Sequence, residues 1–131
     1  MIYKFTVEHQ PMGAPRMTRR DKWKQRDCVV RYRAFKDAIR LEFMRLRHCP
    51  LPGENVLSLS WVATFEPPQS WSKKRKAEAI GELHRSKPDR DNIDKAVLDA
   101  LFEDDSGIAA GHIEKRWGVA AKIEIVIEVR Q

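Results

Sequence analysis

The sequence predicts a small α/β domain, of the α+β kind, in which a mixed β-sheet packs against helices. Segments at both ends and in the middle of the chain alternate apolar with polar residues, as half-buried strands do. Two segments between them repeat apolar residues at helical spacing. The 131 residues suffice for one core without disulfides or structural metals, so we expect a single domain over residues 1–131.

The first half of the chain predicts a strand, a helix and a second strand. Alternating residues 3–7 form the first strand, and the Pro- and Gly-rich residues 10–15 form a loop. Apolar residues then recur at helical spacing from 29 to 47, so a helix is expected there, ended by Pro50. The next alternation predicts a second strand whose buried face carries Leu57, Leu59, Trp61, Ala63 and Phe65.

Residues 67–87 are interpreted as a basic arm inserted into the domain. Ser70 or Ser72 can cap a short helix in this arm, and Gly81 stands at the expected C-terminal end of that helix. A flexible basic segment without a helix is the alternative interpretation.

The last third of the chain predicts the central helix and two strands. After Pro88, apolar residues follow the spacing of a helix packed on one face: Ile93, Ala96, Val97, Ala100 and Leu101. A strand is expected around residues 113–117. The clearest alternation of the chain predicts the last strand, with Ile123, Ile125, Ile127 and Val129 facing inward. The expected order of elements is therefore β-α-β-α-α-β-β.

The composition excludes several classes of protein. Hydrophobic residues make up 42% of the chain and charged residues 34%, which fits neither a disordered chain nor a membrane protein. No apolar run approaches the roughly 20 residues of a membrane span, and the N-terminus lacks the apolar stretch of a signal peptide. A cytoplasmic location is therefore expected. Cys28 and Cys49 form no disulfide or zinc motif and are expected to be packed thiols.

Charge is segregated along the chain. Residues 16–47 hold 12 basic and 4 acidic residues, whereas residues 89–105 hold 7 acidic and 2 basic ones, within a net charge of +6. A basic surface is typical of a protein that binds a phosphate backbone, and a compact acidic cluster suits metal-dependent phosphodiester hydrolysis. A merely solvated charged surface is the alternative. The residues that we assign to DNA binding are Arg16, Arg19, Arg20, Lys22, Arg33, Lys36, Arg40, Lys73 and Lys74.

The segment 87–92, with the sequence KPDRDN, carries the most informative chemistry. Pro88 favours an extended approach to the following helix, and in an extended stretch Asp89 and Asp91 project to the same side. Mg²⁺ prefers oxygen ligands, commonly one or two carboxylates with waters and a substrate phosphate, and a helix N-terminus favours anions. The alternative is that Asp91 is an ordinary N-cap and Asp89 a surface residue.

Further charged residues follow at intervals of one helical turn. Lys95 and Asp99 come after Asp91 on the same side of the expected helix. Beside metal-binding carboxylates, the Lys95 ammonium group could orient an attacking water or neutralise developing charge; otherwise the three residues form a surface ladder of ion pairs. Asp104 and Asp105 follow the helix, where two acids oppose the helix dipole. Their position indicates a role other than stability.

Residues 87–108, KPDRDNIDKAVLDALFEDDSGI, together resemble the signature of the RusA-type Holliday-junction resolvases, endonucleases often carried by prophages. By position, Asp89, Asp91 and Asp105 match the catalytic, metal-binding aspartates of that family, and Lys95 matches its catalytic lysine. Asp99 and Asp104 are assigned supporting roles. Residues 11–16, PMGAPR, also resemble the start of many phage members, so that the resemblance covers nearly the whole chain.

The resemblance implies a homodimer that binds four-way junctions and other branched DNA and cuts two strands symmetrically with Mg²⁺, or with Mn²⁺ in its place. A PD-(D/E)xK nuclease is a competing interpretation, but Glu114 and Lys115 are adjacent and lack the residue that this motif requires between them. The alternative from another class is a non-catalytic phage DNA-binding or antitermination-type protein. In compact members of the resolvase family, the arm over 67–87 is shorter.

The position of Asp105 raises a geometric difficulty. A helix over residues 92–103 would span about 18 Å, so that Asp105 would leave it at the end opposite Asp89 and Asp91. Metal ligands must converge within a few ångströms. Either the chain after Glu103 folds back along the helix, or Asp105 comes from the second subunit of a two-fold dimer.

Overall fold

The computed structural model describes residues 1–16 and 26–131 as one small α+β domain. Its elements follow the expected order. They are β1 (Ile2–Val7), α1 (Asp27–Leu46), a short 3₁₀ turn (Gly53–Asn55), β2 (Val56–Phe65), α2 (Lys73–Ala79), α3 (Arg90–Leu101), β3 (Ile113–Trp117) and β4 (Lys122–Val129).

The strands form one mixed sheet in the order β1-β4-β2-β3. β4 is antiparallel to both β1 and β2, whereas β3 is parallel to β2 at the edge of the sheet. A parallel neighbour requires a crossover connection, and α2 and α3 lie in the chain between β2 and β3. The mixed sheet that the sequence predicts is confirmed.

The core lies between the sheet and the two longer helices. The inward residues of β4 are Ile123, Ile125 and Ile127, each fully buried. α1 contributes Val29, Tyr32, Phe35, Ile39 and Phe43, and α3 contributes Ile93, Ala96, Val97 and Ala100. α1 packs against both α3 and β1. The faces predicted from the 3.6-residue and 2-residue periods are therefore the buried ones.

Two predictions of burial are wrong. Leu57 is 47% exposed, because a register shift between Val56 and Ser58 puts Val56 on the buried face in its place. A single extra residue in a strand shifts the alternation of the residues before it, so that side chains expected to face inward face outward. Cys49 is exposed and Cys28 only partly buried, since Cys49 lies in the turn after α1 and not on a packed face.

The basic arm is ordered and covers one edge of the sheet. α2 begins after Ser72, whose hydroxyl oxygen accepts a hydrogen bond from the Arg75 N–H. Beyond α2 the arm turns at Gly81, whose φ of +88° is one that only glycine adopts readily. The Gly81 and His84 N–H groups then donate to backbone carbonyl oxygens of β3, and the Trp117 N–H donates back to the arm. The outer edge of β3 is thereby paired.

Among the described residues, no helix is long and apolar enough to cross a membrane.

Candidate active site

The N-terminus of α3 presents two exposed carboxylates. Asp89 occupies the N-cap position with an extended backbone, and Asp91 lies in the first turn. The extended geometry expected for both residues therefore holds for Asp89 alone, because the helix begins at Arg90. The interpretation of Asp91 as the N-cap is wrong, because Asp89 occupies that position. The Asp89 side chain makes no capping hydrogen bond, so its carboxylate is not used to cap the helix.

The loop over residues 11–16 packs against this end of α3. The Ala14 N–H donates to the Asn92 carbonyl oxygen at 3.1 Å. A Cβ atom on Gly13 would lie 3.1 Å from the Cβ atoms of both Pro88 and Asn92, so a larger residue would require these neighbours to move by a few tenths of an ångström. The loop ends at the exposed Arg16. The predicted DNA-binding residues Arg19, Arg20 and Lys22 lie outside the described residues.

Lys115, in β3, reaches the chain that leads into Asp89. Its Nζ atom donates to the carbonyl oxygens of Ser86 at 2.6 Å and of Pro88 at 2.7 Å. Burial lowers the pKa of this lysine, and the nearby Asp89 carboxylate opposes that effect. No local motif in the sequence indicates this role for Lys115.

Glu114 and Lys115 face opposite sides of β3, as neighbours in a strand do. Glu114 forms an ion pair with Arg116, which shares its face, and that pairing holds the Glu114 pKa below its usual value. Only Lys115 is therefore directed to the segment before Asp89. This arrangement disfavours a PD-(D/E)xK site, in which the acid and the lysine both reach the reacting phosphate.

The acidic and basic residues along α3 are not a surface ladder. Lys95 is exposed, and in the part of the chain that the structure describes it forms no ion pair within 4.0 Å with Asp91 or Asp99. Asp94 instead accepts a hydrogen bond from the Trp61 indole at 2.8 Å. Asp99 accepts one from the Tyr32 hydroxyl at 3.2 Å. Asp94 and Asp99 thus tie α3 to the core, whereas Asp91 and Lys95 remain available to a ligand.

Asp104 and Asp105 lie at the other end of α3. Both are exposed, and an Asp104 side-chain oxygen accepts a hydrogen bond from the Ser106 N–H at 3.0 Å. Hydrogen bonding to the Ser106 side chain, and then to its N–H, lowers the Asp104 pKa. The chain does fold back afterwards: residues 108–111 and Ile113 border one cavity with Asp94 and Leu98. It is Lys115, however, and not Asp105, that this return brings to the Asp89 end.

The expected three-carboxylate site is not assembled within one subunit. Over residues 1–16 and 26–131, no three histidine, cysteine or acidic side chains lie close enough together to hold a metal ion. The 12 residues of α3 span about 18 Å, and Asp105 follows the helix by four residues. Asp89 and Asp91 are brought together at one end, and Asp105 is at the other.

Five of the predicted DNA-binding residues lie on two helices. Arg33, Lys36 and Arg40 lie on α1, and Lys73 and Lys74 are exposed at the start of α2. Arg40 also has a structural contact, because its guanidinium donates to the carbonyl oxygens of Asp99 and Ala100 near the C-terminus of α3. Such a contact satisfies carbonyls that a helix end leaves unpaired.

One comparison with known proteins identifies the chain. A search of curated proteins finds no match. The family model described as endodeoxyribonuclease RusA matches residues 8–128, a range that includes the loop at 11–16, the arm, both ends of α3 and Lys115. Since the match covers nearly all of the 131 residues, this chain belongs to the RusA endodeoxyribonuclease family.

Proposed function

We propose that the chain is a metal-dependent endodeoxyribonuclease that resolves Holliday junctions and related branched DNA by paired, symmetric strand cleavage. Membership of the RusA family implies Holliday-junction endonuclease activity. The observation that supports the catalytic assignment is the pair of exposed carboxylates, Asp89 and Asp91, at the N-terminus of α3, with the Asp89 side chain free of any capping bond.

The donor set suits a hard divalent cation. Two aspartates supply oxygen ligands of the type that Mg²⁺ takes, and Mg²⁺ commonly completes its shell with waters and substrate phosphate. Asp89 and Asp91 would hold the ion, with Mn²⁺ as the alternative. A bound ion of this kind would supply Lewis-acid stabilisation of the phosphoryl oxygens.

The surrounding residues of the chain would position the phosphate. Lys95 lies one turn after Asp91 and is exposed without an ion-pair partner among the described residues, so its ammonium group can donate to a phosphoryl oxygen or orient an attacking water. The N–H groups of the first turn of α3 favour the same negative charge. Lys115 holds the backbone before Asp89 and thereby the direction of its carboxylate.

A homodimer would complete the site. Asp105 lies beyond the end of α3 that is opposite Asp89 and Asp91, but in a two-fold dimer with the two α3 helices antiparallel, Asp105 of the partner subunit would lie beside them. Two such composite sites account for paired cleavage, one cut per site. We also propose the cytoplasmic location that the sequence leads us to expect.

The experiment is junction cleavage with and without metal. Purified protein is incubated with a labelled four-way junction in Mg²⁺, in Mn²⁺ and in EDTA. We expect paired nicks at symmetric positions with either metal, and binding without cutting in EDTA. Binding without cutting under all three conditions would instead support a non-catalytic DNA-binding protein, and cutting in EDTA would contradict the metal assignment.

A further inference from the structure

A cavity lined with aromatic residues lies between the arm and the sheet, directly before the catalytic aspartates in the chain. It has a volume of about 300 Å³, and its walls include Phe65, Trp71, His84, Lys87, Pro88 and Trp117. Lys87 and Pro88 immediately precede Asp89. The cavity and the Asp89 carboxylate therefore share one short segment of chain.

The rings in this cavity pack against one another. The His84 imidazole stacks on Phe65, with ring centroids 4.3 Å apart, and contacts Trp117 in a tilted arrangement, with ring centroids 4.1 Å apart. Trp71, from the arm, lies 5.0 Å from Trp117. The two tryptophans are only partly buried, so part of each ring is accessible, and the Arg75 guanidinium lies over the Trp71 ring. Every nucleobase has a π-face, and stacking on tryptophan is a common way in which proteins hold an unpaired base.

His84 carries a second sign of a polar ligand. The residue is 94% buried, and its Nδ1 atom has no hydrogen-bond partner among the described residues. Buried polar atoms in folded proteins nearly always have partners, so an atom without one requires an explanation, and an absent ligand or water is one. Burial and the charge of Lys115 lower the His84 pKa, while hydrogen bonding to the backbone of His84 and Ser86 opposes them; a neutral imidazole offers one donor and one acceptor.

The charges around the cavity fit a nucleotide and not an apolar peptide. Lys87 and Glu66 line the cavity, and the guanidinium of Arg75 lies 3.8 Å from the Trp71 ring centroid. Lys73 and Lys74 precede Arg75 on α2, so basic groups outnumber the one carboxylate. The volume is at the lower end of the range for small-molecule sites, which suits a single planar base. At a branch point, base stacking is interrupted, so that unstacking a base costs less than in a continuous duplex.

We propose that this cavity receives one nucleobase, unstacked from the strand that lies across Asp89 and Asp91, with Trp71 as its main stacking surface and Lys87 near its phosphate. The inference rests on the proposed nuclease function and deepens it. The cavity would fix the register of the strand relative to the catalytic aspartates. The arm at 67–87 would then be a determinant of where the junction is cut.

The test combines changes in the DNA with changes in the protein. Junctions are prepared with a single abasic nucleotide at each position within three residues of the mapped cut, and binding is measured in EDTA for wild type, Trp71→Ala and Trp71→Phe. Ile80→Ala is the matched control, because Ile80 is exposed on the same arm and does not line the cavity. Circular dichroism checks the fold of each variant.

At one position, we expect the abasic substitution to weaken wild-type binding roughly tenfold, as the loss of one stacked base does. Trp71→Ala should bind the intact junction about tenfold more weakly than the wild type does, and should bind that abasic junction no more weakly than the wild type does. Trp71→Phe should keep most of the affinity for the intact junction, and Ile80→Ala should keep all of it. Two results would overturn the proposal: the affinity losses from Trp71→Ala and from the abasic nucleotide multiply at every position, or no abasic position weakens binding. Either result would favour a protein as the ligand of the cavity.

Cleavage by the wild type separates this inference from the proposed function. A wild-type protein that does not cut junctions in Mg²⁺ or Mn²⁺ contradicts the nuclease assignment itself. A wild-type protein that cuts, while the losses from Trp71→Ala and the abasic nucleotides are independent, contradicts only the base-binding cavity.

Discussion

The Nζ atom of Lys115 lies 2.7 Å from the carbonyl oxygen of Pro88, the residue immediately before Asp89. A second hydrogen bond, to the Ser86 carbonyl oxygen at 2.6 Å, ties the same ammonium group to the preceding turn of chain. β3 is therefore connected to the entrance of α3 through one side chain. Because the backbone before Asp89 is bonded to the sheet in this way, the direction of the exposed Asp89 carboxylate is restricted.

Lys115→Met should slow cleavage more than it weakens binding. Without its ammonium group the carbonyls of Ser86 and Pro88 lose a charged donor, and the direction of the Asp89 carboxylate is no longer held. Small misplacements of reacting groups can cost about 10²-fold, so we expect a decrease in kcat of about 10- to 100-fold with KM changed little. Lys115→Arg keeps a donor and should restore part of the rate. A parallel loss of kcat/KM and of folding stability in both variants would show that Lys115 has a structural role only.

Asp89→Asn or Asp91→Asn should abolish cleavage and leave junction binding intact or tighter. Each substitution removes a metal ligand and also a negative charge that repels the phosphate backbone. Product formation and binding in EDTA are measured separately, with Glu128→Gln on β4 as an exposed control. Equal losses of binding and cleavage in either aspartate variant would indicate a folding defect at the start of α3.

The elements of this fold are predictable from the sequence because their periods are strong. β4 alternates apolar with polar residues except at Val126, and all four of its predicted inward residues are buried. α3 buries four of its five predicted apolar residues and leaves Leu101 partly exposed. Leu57 was not predictable in this way, because a bulge changes the alternation without any change in the apolar pattern.

The site is less predictable because its parts meet through tertiary contacts. Asp89 and Asp91 are recognisable from a local motif. Lys115 lies 26 residues further along the chain, in a strand whose face is decided by pairing with β2, so that no local pattern connects it to Asp89. The dipeptide Glu114-Lys115 was visible in the sequence, but only the register of β3 shows which of its two side chains faces the site.

The stability of the protein should decrease as the pH rises from about 10 to about 12, and Tyr32 should contribute to this. Burial, followed by the charge and hydrogen bond of Asp99, raises the pKa of Tyr32 from 10.0 to about 12, against a smaller opposing effect of Arg40. The unfolded chain releases this proton first, so the contribution is fully present below pH 10 and is lost as the pH passes through the folded-state pKa. The test is urea unfolding of the wild type and of Tyr32→Phe, measured at intervals of about one pH unit between pH 8 and 12. The difference in free energy of unfolding should change with pH only above about 10; a constant difference would contradict the assignment.

Binding of junctions should depend strongly on salt, and the start of α2 should contribute to that dependence. Lys73 and Lys74 are exposed on the arm, which leads along the chain to Asp89. If both contact phosphates, replacing them with alanine reduces the slope of log affinity against log salt by about 2. The double variant Lys4→Ala, Arg130→Ala removes the same charge from exposed positions at β1 and after β4. It should shift affinity slightly without changing the slope, and equal slopes for the two double variants would exclude α2 from the DNA surface.

The shared-site dimer predicts that two inactive variants restore each other. Asp91→Asn and Asp105→Asn are each expected to be inactive as homodimers, because every site then lacks one carboxylate. In a mixed dimer with composite sites, one site contains Asp91 of the first subunit and Asp105 of the second, so that both lesions fall in one site and the other is intact. Nicking of one strand should return, at about half the wild-type rate per dimer.

The arrangement within one subunit predicts the opposite result. If each site took its own Asp105, every site of the mixed dimer would carry one lesion and no cutting would return. Mixed dimers are purified through two different affinity tags, so that the measured species is verified, and a mixture of Asp89→Asn with Asp91→Asn is the control. Both of those residues lie at the same end of α3, so their lesions fall in separate sites in either arrangement and activity should stay absent. Recovery in the first mixture and not in the control therefore requires Asp105 to act across the interface, as the roughly 18 Å length of α3 leads us to expect.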